Sequence, residues 1–255
     1  DDGYVSEKGL AERPFPSLLA TAQTALADTP ELLAYVQRCG EQLPGILTGK
    51  ISPLETIFPG GSYETADFLY HHWPLVQYYN AIAAAIMQAT AAKLPPNRQM
   101  RILEIGAGTG GTTAALLPVL PAQQTQYHFT DLSDLFLGRA EEPFRAYPFV
   151  SYGIMDIEKP LAGQGYRPHT FDVIVAANVL HATRNLDETL THVQELLAPG
   201  GLLLLFEVTS HFTWFDITTG LIEGWELYED DWRQDNPLLP PERWQGALAA
   251  AGFAD

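Results

Sequence analysis

A short apolar run, Arg101-Ile102-Leu103-Glu104-Ile105, gives way at once to Gly106-Ala107-Gly108-Thr109-Gly110-Gly111. No other stretch narrows the possible folds as far. A β-branched run that ends in glycines reads as a strand turning directly into a helix, with backbone free to pass close to a ligand. The rhythm downstream agrees. Apolar runs at 126–130, 149–155, 171–177 and 201–208 predict four more strands. Residues 186–197 predict the helix before the fifth strand, with Pro199-Gly200-Gly201 as its stop and turn. Near-continuous apolar strands separated by helices predict an α/β fold whose parallel sheet is covered on both faces.

Residues 1–97 have a different character. Leu18, Leu19, Ala22 and Leu26 fall on one helical face, and Leu32, Leu33, Val36 and Leu43 on another. Asp28-Thr29-Pro30-Glu31 reads as a helix start with a capping side chain ahead of Pro, and residues 57–62 as a Pro/Gly loop. A Pro-initiated helix is expected over 74–92, ended by Pro95-Pro96-Asn97. The expected organisation is a helical unit, 1–97, ahead of a ligand-binding core, 98–255, with no internal repeat. Because the chain opens on Asp1 and closes on Asp255 soon after Ala-Gly-Phe, both ends read as cut from something longer.

The formal net charge of −17 argues against nucleic acid and anionic membrane as partners, since both would be repelled. No run approaches the roughly 18 apolar residues of a membrane span, and no basic-then-apolar leader opens the chain. The one cysteine, Cys39, reads as a small buried hydrophobe.

In open α/β sheets ligands bind beyond the C-terminal ends of the strands, and polar residues stand at each of those ends. Gly106, Gly108 and Gly111 satisfy the dinucleotide pattern G-x-G-x-x-G, a weak signal alone. Glu104 ahead of them and a third glycine at 110 instead resemble the acid-x-Gly-x-Gly-x-Gly loop of methyltransferases that use S-adenosylmethionine. Asp131 ends the second strand, where a carboxylate can take both hydroxyls of a ribose in either cofactor. Asp156 follows the third strand and can meet an adenine amino group; helix capping is the alternative for both acids. Asn178 follows the fourth.

Longer motifs make the resemblance specific. The run 102–113, Phe129-Thr130-Asp131-Leu132-Ser133, and Ala176-Ala177-Asn178-Val179-Leu180-His181-Ala182-Thr183 are similar to methyltransferase domains of modular polyketide synthases and hybrid synthetases. So are Leu197-Ala198-Pro199-Gly200-Gly201, Glu223-Gly224-Trp225 and Pro237-Leu238-Leu239. Phe58-Pro59-Gly60-Gly61-Ser62 and Leu69-Tyr70 resemble that family's lid. The resemblance implies a Rossmann-like sheet behind a helical N-terminal lid, S-adenosylmethionine as cofactor, and a cytoplasmic location. It implies as partners an acyl carrier protein with a phosphopantetheine-tethered substrate, and neighbouring synthase domains. It also implies a catalytic pair, His181 as base with Glu207 at the end of the fifth strand. An imidazole titrates near neutrality, and a carboxylate on its far nitrogen fixes the tautomer.

Two departures stand out. The family commonly has a second Trp where this chain has Glu226, and its sheet normally ends in an antiparallel pair that this sequence stops short of. Carbon methylation at the α-position of a β-ketoacyl chain is the favoured activity. Oxygen methylation on the same carrier, a silent structural module and an NAD oxidoreductase are the alternatives. Trp214, Phe215, Trp225 and Tyr228 are candidates for an acyl wall or for plain core, and Tyr63 and Tyr70 for closure over the cofactor. His71 and His72 read as pocket wall or helix surface, and Glu229-Asp230-Asp231 as a solvated turn. No H-E-x-x-H or similar cluster marks a metal site.

Overall fold

The computed structural model describes residues 14–253. The expectations about Asp1 and Asp255 as cut ends, and the outer limits of the two expected units, lie outside those residues. Five strands form one sheet: β1 (Met100–Ile105), β2 (Thr125–Asp131), β3 (Val150–Ile154), β4 (Phe171–Ala177) and β5 (Leu197–Phe206). Their order is β3-β2-β1-β4-β5, and every neighbouring pair is parallel. The chain starts in the middle, winds outward to β3, then crosses back to β4. The reversal falls between β1 and β4 and opens a crevice at their C-terminal ends, the place such sheets keep for ligands.

Alternation along each strand assigns the faces. Met100 and Ile102 point to one side, where they join Leu116, Leu137 and Phe144. That side carries α4 (Pro74–Ala91), α5 (Gly111–Leu116) and α6 (Asp134–Phe144). Leu103 and Ile105 point to the other, packing with Leu190, Val193 and Trp244 from α7 (Leu186–Leu196) and α8 (Pro241–Ala250). With both sides covered, central strands carry apolar residues at most positions, and β1 and β4 read as largely apolar for that reason. Each fully buried Leu, Ile or Val contributes about 1.5–3 kcal/mol.

Ahead of the sheet lie α1 (Phe15–Ala25), α2 (Pro30–Leu47) and α3 (Glu64–Asp67), the last running into a π-helical turn, Phe68–His72. A third core holds this part together: Leu32, Tyr35, Cys39, Ile57, Ala66 and Leu69, with Trp73 and Trp214 packed against it. Cys39 is fully buried, as its type suggested. Residues 57–62, expected as plain loop, contain a 3₁₀ turn, Pro59–Gly61.

Three local expectations are corrected. Thr29 occupies the cap position of α2, but its side chain makes no capping bond. The fifth strand begins at Leu197, not 201. Pro199-Gly200-Gly201 is absorbed as an irregularity in the ladder, which pairs Phe171 with Leu197 and then Val173 with Leu202. The extra residues bulge because Pro lacks a donor for the ladder and Gly200 sits at φ +73°. Glu229-Asp230-Asp231 is not simply solvated: the Asp230 side chain is only 1% exposed, in an ion pair with Arg233.

Candidate functional site

The loop after β1 is fixed by its own backbone and by β2. Ala107 N–H donates to Thr130 O at 2.9 Å, and Gly108 N–H to Asp131 Oδ2 at 2.8 Å. Asp131 Oδ1 accepts from Ser133 N–H at 2.9 Å, so each carboxylate oxygen holds one backbone N–H. A carboxylate offers about four acceptor sites, which leaves room for two further donors. Leu132, just past the end of β2, is 66% exposed.

Glycine is required at two places here. At Gly106 (φ +61°) a Cβ would lie 2.3 Å from Val179 Cγ2. At Gly111 it would lie 2.1 Å from the carbonyl oxygen of Tyr70. The π-helical turn therefore rests directly on the start of α5. His71 Nε2 pairs with Thr109 O at 3.1 Å, and Thr112 Oγ1 donates to Asn80 Oδ1 at 3.0 Å, adding to this seam. Beside it a cleft of about 510 Å³ is lined by Tyr63, Asp67, His71, Gly108 and Arg139 among others. The Arg139 guanidinium stacks on the Tyr63 ring at 3.4 Å. His71 and His72 thus divide: the first lines the cleft, the second is exposed and paired with Asp67.

Glu104 sits deeper than a loop residue. It is 2% exposed, on the α5 side of β1, and its Oε2 accepts from the hydroxyls of Tyr127 (2.7 Å) and Thr113. Burial, the strongest influence, raises its carboxyl to about 7 against the pull of those two bonds, and the Asp131 charge adds to the rise.

After β4 the chain turns sharply at Asn178, one of two described non-glycine residues with positive φ (+53°). Asn tolerates that conformation better than most residues. Its Oδ1 accepts from Val208 N–H, and its N–H donates to Phe206 O, which locks the end of β4 to the end of β5. That lock brings Glu207 across to the turn. Glu207 Oε1 accepts from Val179 N–H (3.1 Å) and Leu180 N–H (2.8 Å), while Oε2 meets His181 Nδ1 at 2.6 Å. The two side chains are 2% and 10% exposed. A carboxylate oxygen only accepts, so in this contact Nδ1 is the protonated nitrogen. His181 Nε2 then carries the lone pair and has no hydrogen-bond partner among the described residues. Trp225 stands 5.7 Å from the imidazole, ring centroid to ring centroid, and Phe215 backs Trp225 at 5.9 Å.

The remaining candidates are spread more widely. Trp214 packs between Trp73 and Phe215, tied to the N-terminal core. Tyr228 donates its hydroxyl to Gln234 O, and Glu226 is exposed. Tyr70 is 40% exposed. The Asp156 carboxylate is engaged by Lys159 Nζ (2.8 Å) and Glu158 N–H (3.1 Å) and faces a second, charged cleft with Arg184 and Glu229. Arg233 was not among the residues read from sequence. Its position in an unremarkable polar stretch gives no signal of burial.

A parallel 3-2-1-4-5 sheet with an acidic glycine loop after β1 and a carboxylate ending β2 defines the Rossmann-like methyltransferase fold. The comparisons agree: the family described as "Methyltransferase domain" matches residues 103–203. The polyketide synthase ThaG of Burkholderia thailandensis is 42% identical over 87% of this chain. The match takes in 4% of ThaG's length, so the chain corresponds to a small part of that synthase. The solved structure of the CurJ carbon methyltransferase superposes with a TM-score of 0.89 at 43% identity, covering 95% of this chain and 65% of that one. The trans-methyltransferase CalH, in complex with SAH, superposes at 0.76 with 32% identity, covering 93% and 66%. The chain belongs to the methyltransferase family; its curated relatives are polyketide synthases, and its structural neighbours include carbon methyltransferases.

Proposed function

We propose that this domain methylates the α-carbon of a β-ketoacyl chain held by phosphopantetheine on an acyl carrier protein, with His181 as the base. The observation that carries this reading is the 2.6 Å contact between His181 Nδ1 and a carboxylate almost cut off from water. It holds the imidazole in the tautomer whose Nε2 takes a proton, and it stabilises the imidazolium afterwards. The α-proton of a β-ketoacyl thioester is acidic enough for such a base. Trp225 beside the ring excludes water and offers an apolar wall to the acyl chain.

S-adenosylmethionine, when bound, supplies an electrophilic methyl group on sulfur. The residues present fit it. The free acceptor capacity of Asp131 suits two ribose hydroxyls, and Leu132 offers an apolar face to a base. Gly108 leaves open space for its amino-acid end, while Gly106 and Gly110 let the loop press against Val179 and Phe144, with Asn178 at the neighbouring strand end and Glu104 buttressing the loop from behind. Tyr70, on the turn that rests on Gly111, belongs to the helical part that we read as a lid. Asp156 would have to exchange Lys159 for an adenine amino group to take the role read from its position. The complex of CalH with SAH, the spent form of the cofactor, supports the assignment.

The test is methyl transfer from labelled S-adenosylmethionine to a β-ketoacyl carrier protein and to its β-hydroxy counterpart, for wild type and His181→Ala. Mass gain at the α-carbon of the keto substrate, lost in the variant, is expected. Gain on the hydroxy substrate alone moves the assignment to oxygen. Cofactor binding with no transfer to either substrate refutes the reading.

A further inference from the structure

His181 is held from two sides, and only one of them is Glu207. The carboxylate takes the N–H groups of Val179 and Leu180 on the approach to the histidine. On the departing side, Arg233 Nη1 donates to the carbonyl of His181 itself at 2.6 Å, and Nη2 to the carbonyl of Arg184 at 3.1 Å. The same guanidinium is paired with Asp230, through Nη2 to Oδ2 and through Nε to Oδ1 at 3.3 Å. Asp230 Oδ2 in turn accepts the N–H of Leu186, the first residue of α7, at 2.9 Å. One ion pair therefore grips residues 181, 184 and 186, and both of its side chains are shut away from water (0% and 1% exposed).

We infer that Arg233, anchored by Asp230, is the positioning residue for the His181 imidazole; this rests on the reading of His181 as base. The chemical argument is geometric. A guanidinium offers five N–H donors in a rigid planar fork, and here four directions are used at once, two on carbonyls and two on a carboxylate. A bare charge pair would need none of the carbonyl contacts. A helix start would need Asp230 but not Arg233. The fork does both, and it fixes the carbonyl of the catalytic residue relative to α7. The segment it clamps, 181–186, carries no long-range β pairing; Glu158 and the Glu229 N–H also hold Arg184, but among the described residues the His181 carbonyl itself is met only by the fork. An error of about 1 Å in a reacting group costs on the order of a hundredfold in rate.

The experiment compares wild type, Arg233→Lys, Arg233→Ala, His181→Ala and Glu229→Gln, the last removing an exposed pair with Arg184 (54% and 64% exposed). Readouts are kcat and KM for methyl transfer to β-ketoacyl carrier protein, Kd for S-adenosylmethionine, thermal unfolding, and ¹⁵N shifts of the imidazole. Arg233→Lys keeps the charge beside Asp230 but cannot span both carbonyls. The expected result is a kcat at least tenfold lower, with cofactor Kd within about threefold of wild type. The His181 ¹⁵N shifts should move from a pure Nδ1–H tautomer toward a mixture. Arg233→Ala should show the same effects more strongly if it folds, and Glu229→Gln none of them. A folded Arg233→Lys with wild-type kcat and unchanged imidazole shifts overturns the inference while His181→Ala stays inactive. An active His181→Ala overturns the reading of the base instead, and the two failures are distinguishable.

Discussion

Replacing Glu207 by glutamine changes one atom and one charge, and the surrounding geometry decides what happens next. Oε1 faces two N–H donors, those of Val179 and Leu180, so the new amide must keep its oxygen there. The opposite orientation would set NH₂ against two N–H groups. The amide nitrogen is then forced to the Oε2 position, 2.6 Å from His181 Nδ1. A donor there requires Nδ1 to be an acceptor, which moves the ring proton to Nε2 and leaves no lone pair there for the proposed proton transfer. The variant also removes a hydrogen bond between charged groups once the imidazole is protonated, about 1.5–3 kcal/mol. That term alone is roughly 10- to 150-fold in rate, and a trapped tautomer in comparable triads costs about 10⁴-fold. The expected loss in kcat is therefore 10²- to 10⁴-fold, as orders of magnitude, with little change in Tm because the backbone bonds to Oε1 survive. Single-turnover transfer of labelled methyl to a β-ketoacyl carrier protein measures it. A kcat within about threefold of wild type, in a protein whose His181→Ala variant is inactive, would refute the tautomer argument.

Three further outcomes follow from other contacts. Glu104, raised to about 7 by burial, is protonated more readily folded than unfolded, so it lowers stability above its unfolded value and the penalty disappears as pH falls through about 7 toward 4.5. Glu104→Gln should gain on wild type in Tm as pH rises from 5 to 7 and hold a constant advantage above that, on the order of 3 kcal/mol; a difference flat with pH contradicts it. Gly111→Ala drives a methyl into the Tyr70 carbonyl and should cost about 1–3 kcal/mol in urea unfolding, with weaker cofactor binding as the turn lifts off the loop. Unchanged values for both would mean the seam yields freely. Asp131→Ala leaves the Gly108 and Ser133 N–H groups without their acceptor, about 1–3 kcal/mol, and should weaken S-adenosylmethionine binding at least tenfold by calorimetry. Cofactor affinity within twofold of wild type would remove Asp131 from the site.

What the sequence could say by itself was set by local chemistry. Strands covered on both faces are apolar at most positions, so β1 and β4 were legible to within a residue or so, and β2 through its alternating Tyr127 and Phe129. A strand that turns into a helix over a ligand needs glycine, so the loop at 106–111 was legible too. His181 and Glu207 were readable only because a long motif carried the first and the strand end the second; what joins them is the lock between Asn178 and β5. Other features depend on contacts between distant residues. Pro199-Gly200-Gly201 signals a turn in isolation, yet pairing with β4 draws it into a bulged strand. Asp230 sits in an acidic run that looks made for water, and Arg233, three residues on, looks like any surface cation. Their burial depends on carbonyls of residues 181 and 184, about 50 positions earlier, whose unmet acceptors only the folded chain brings to the guanidinium. Apolar periodicity and backbone conformation are properties of neighbours in the chain, and the sequence determined them. The partners of a buried charge are neighbours in space, and the tertiary structure alone decided those.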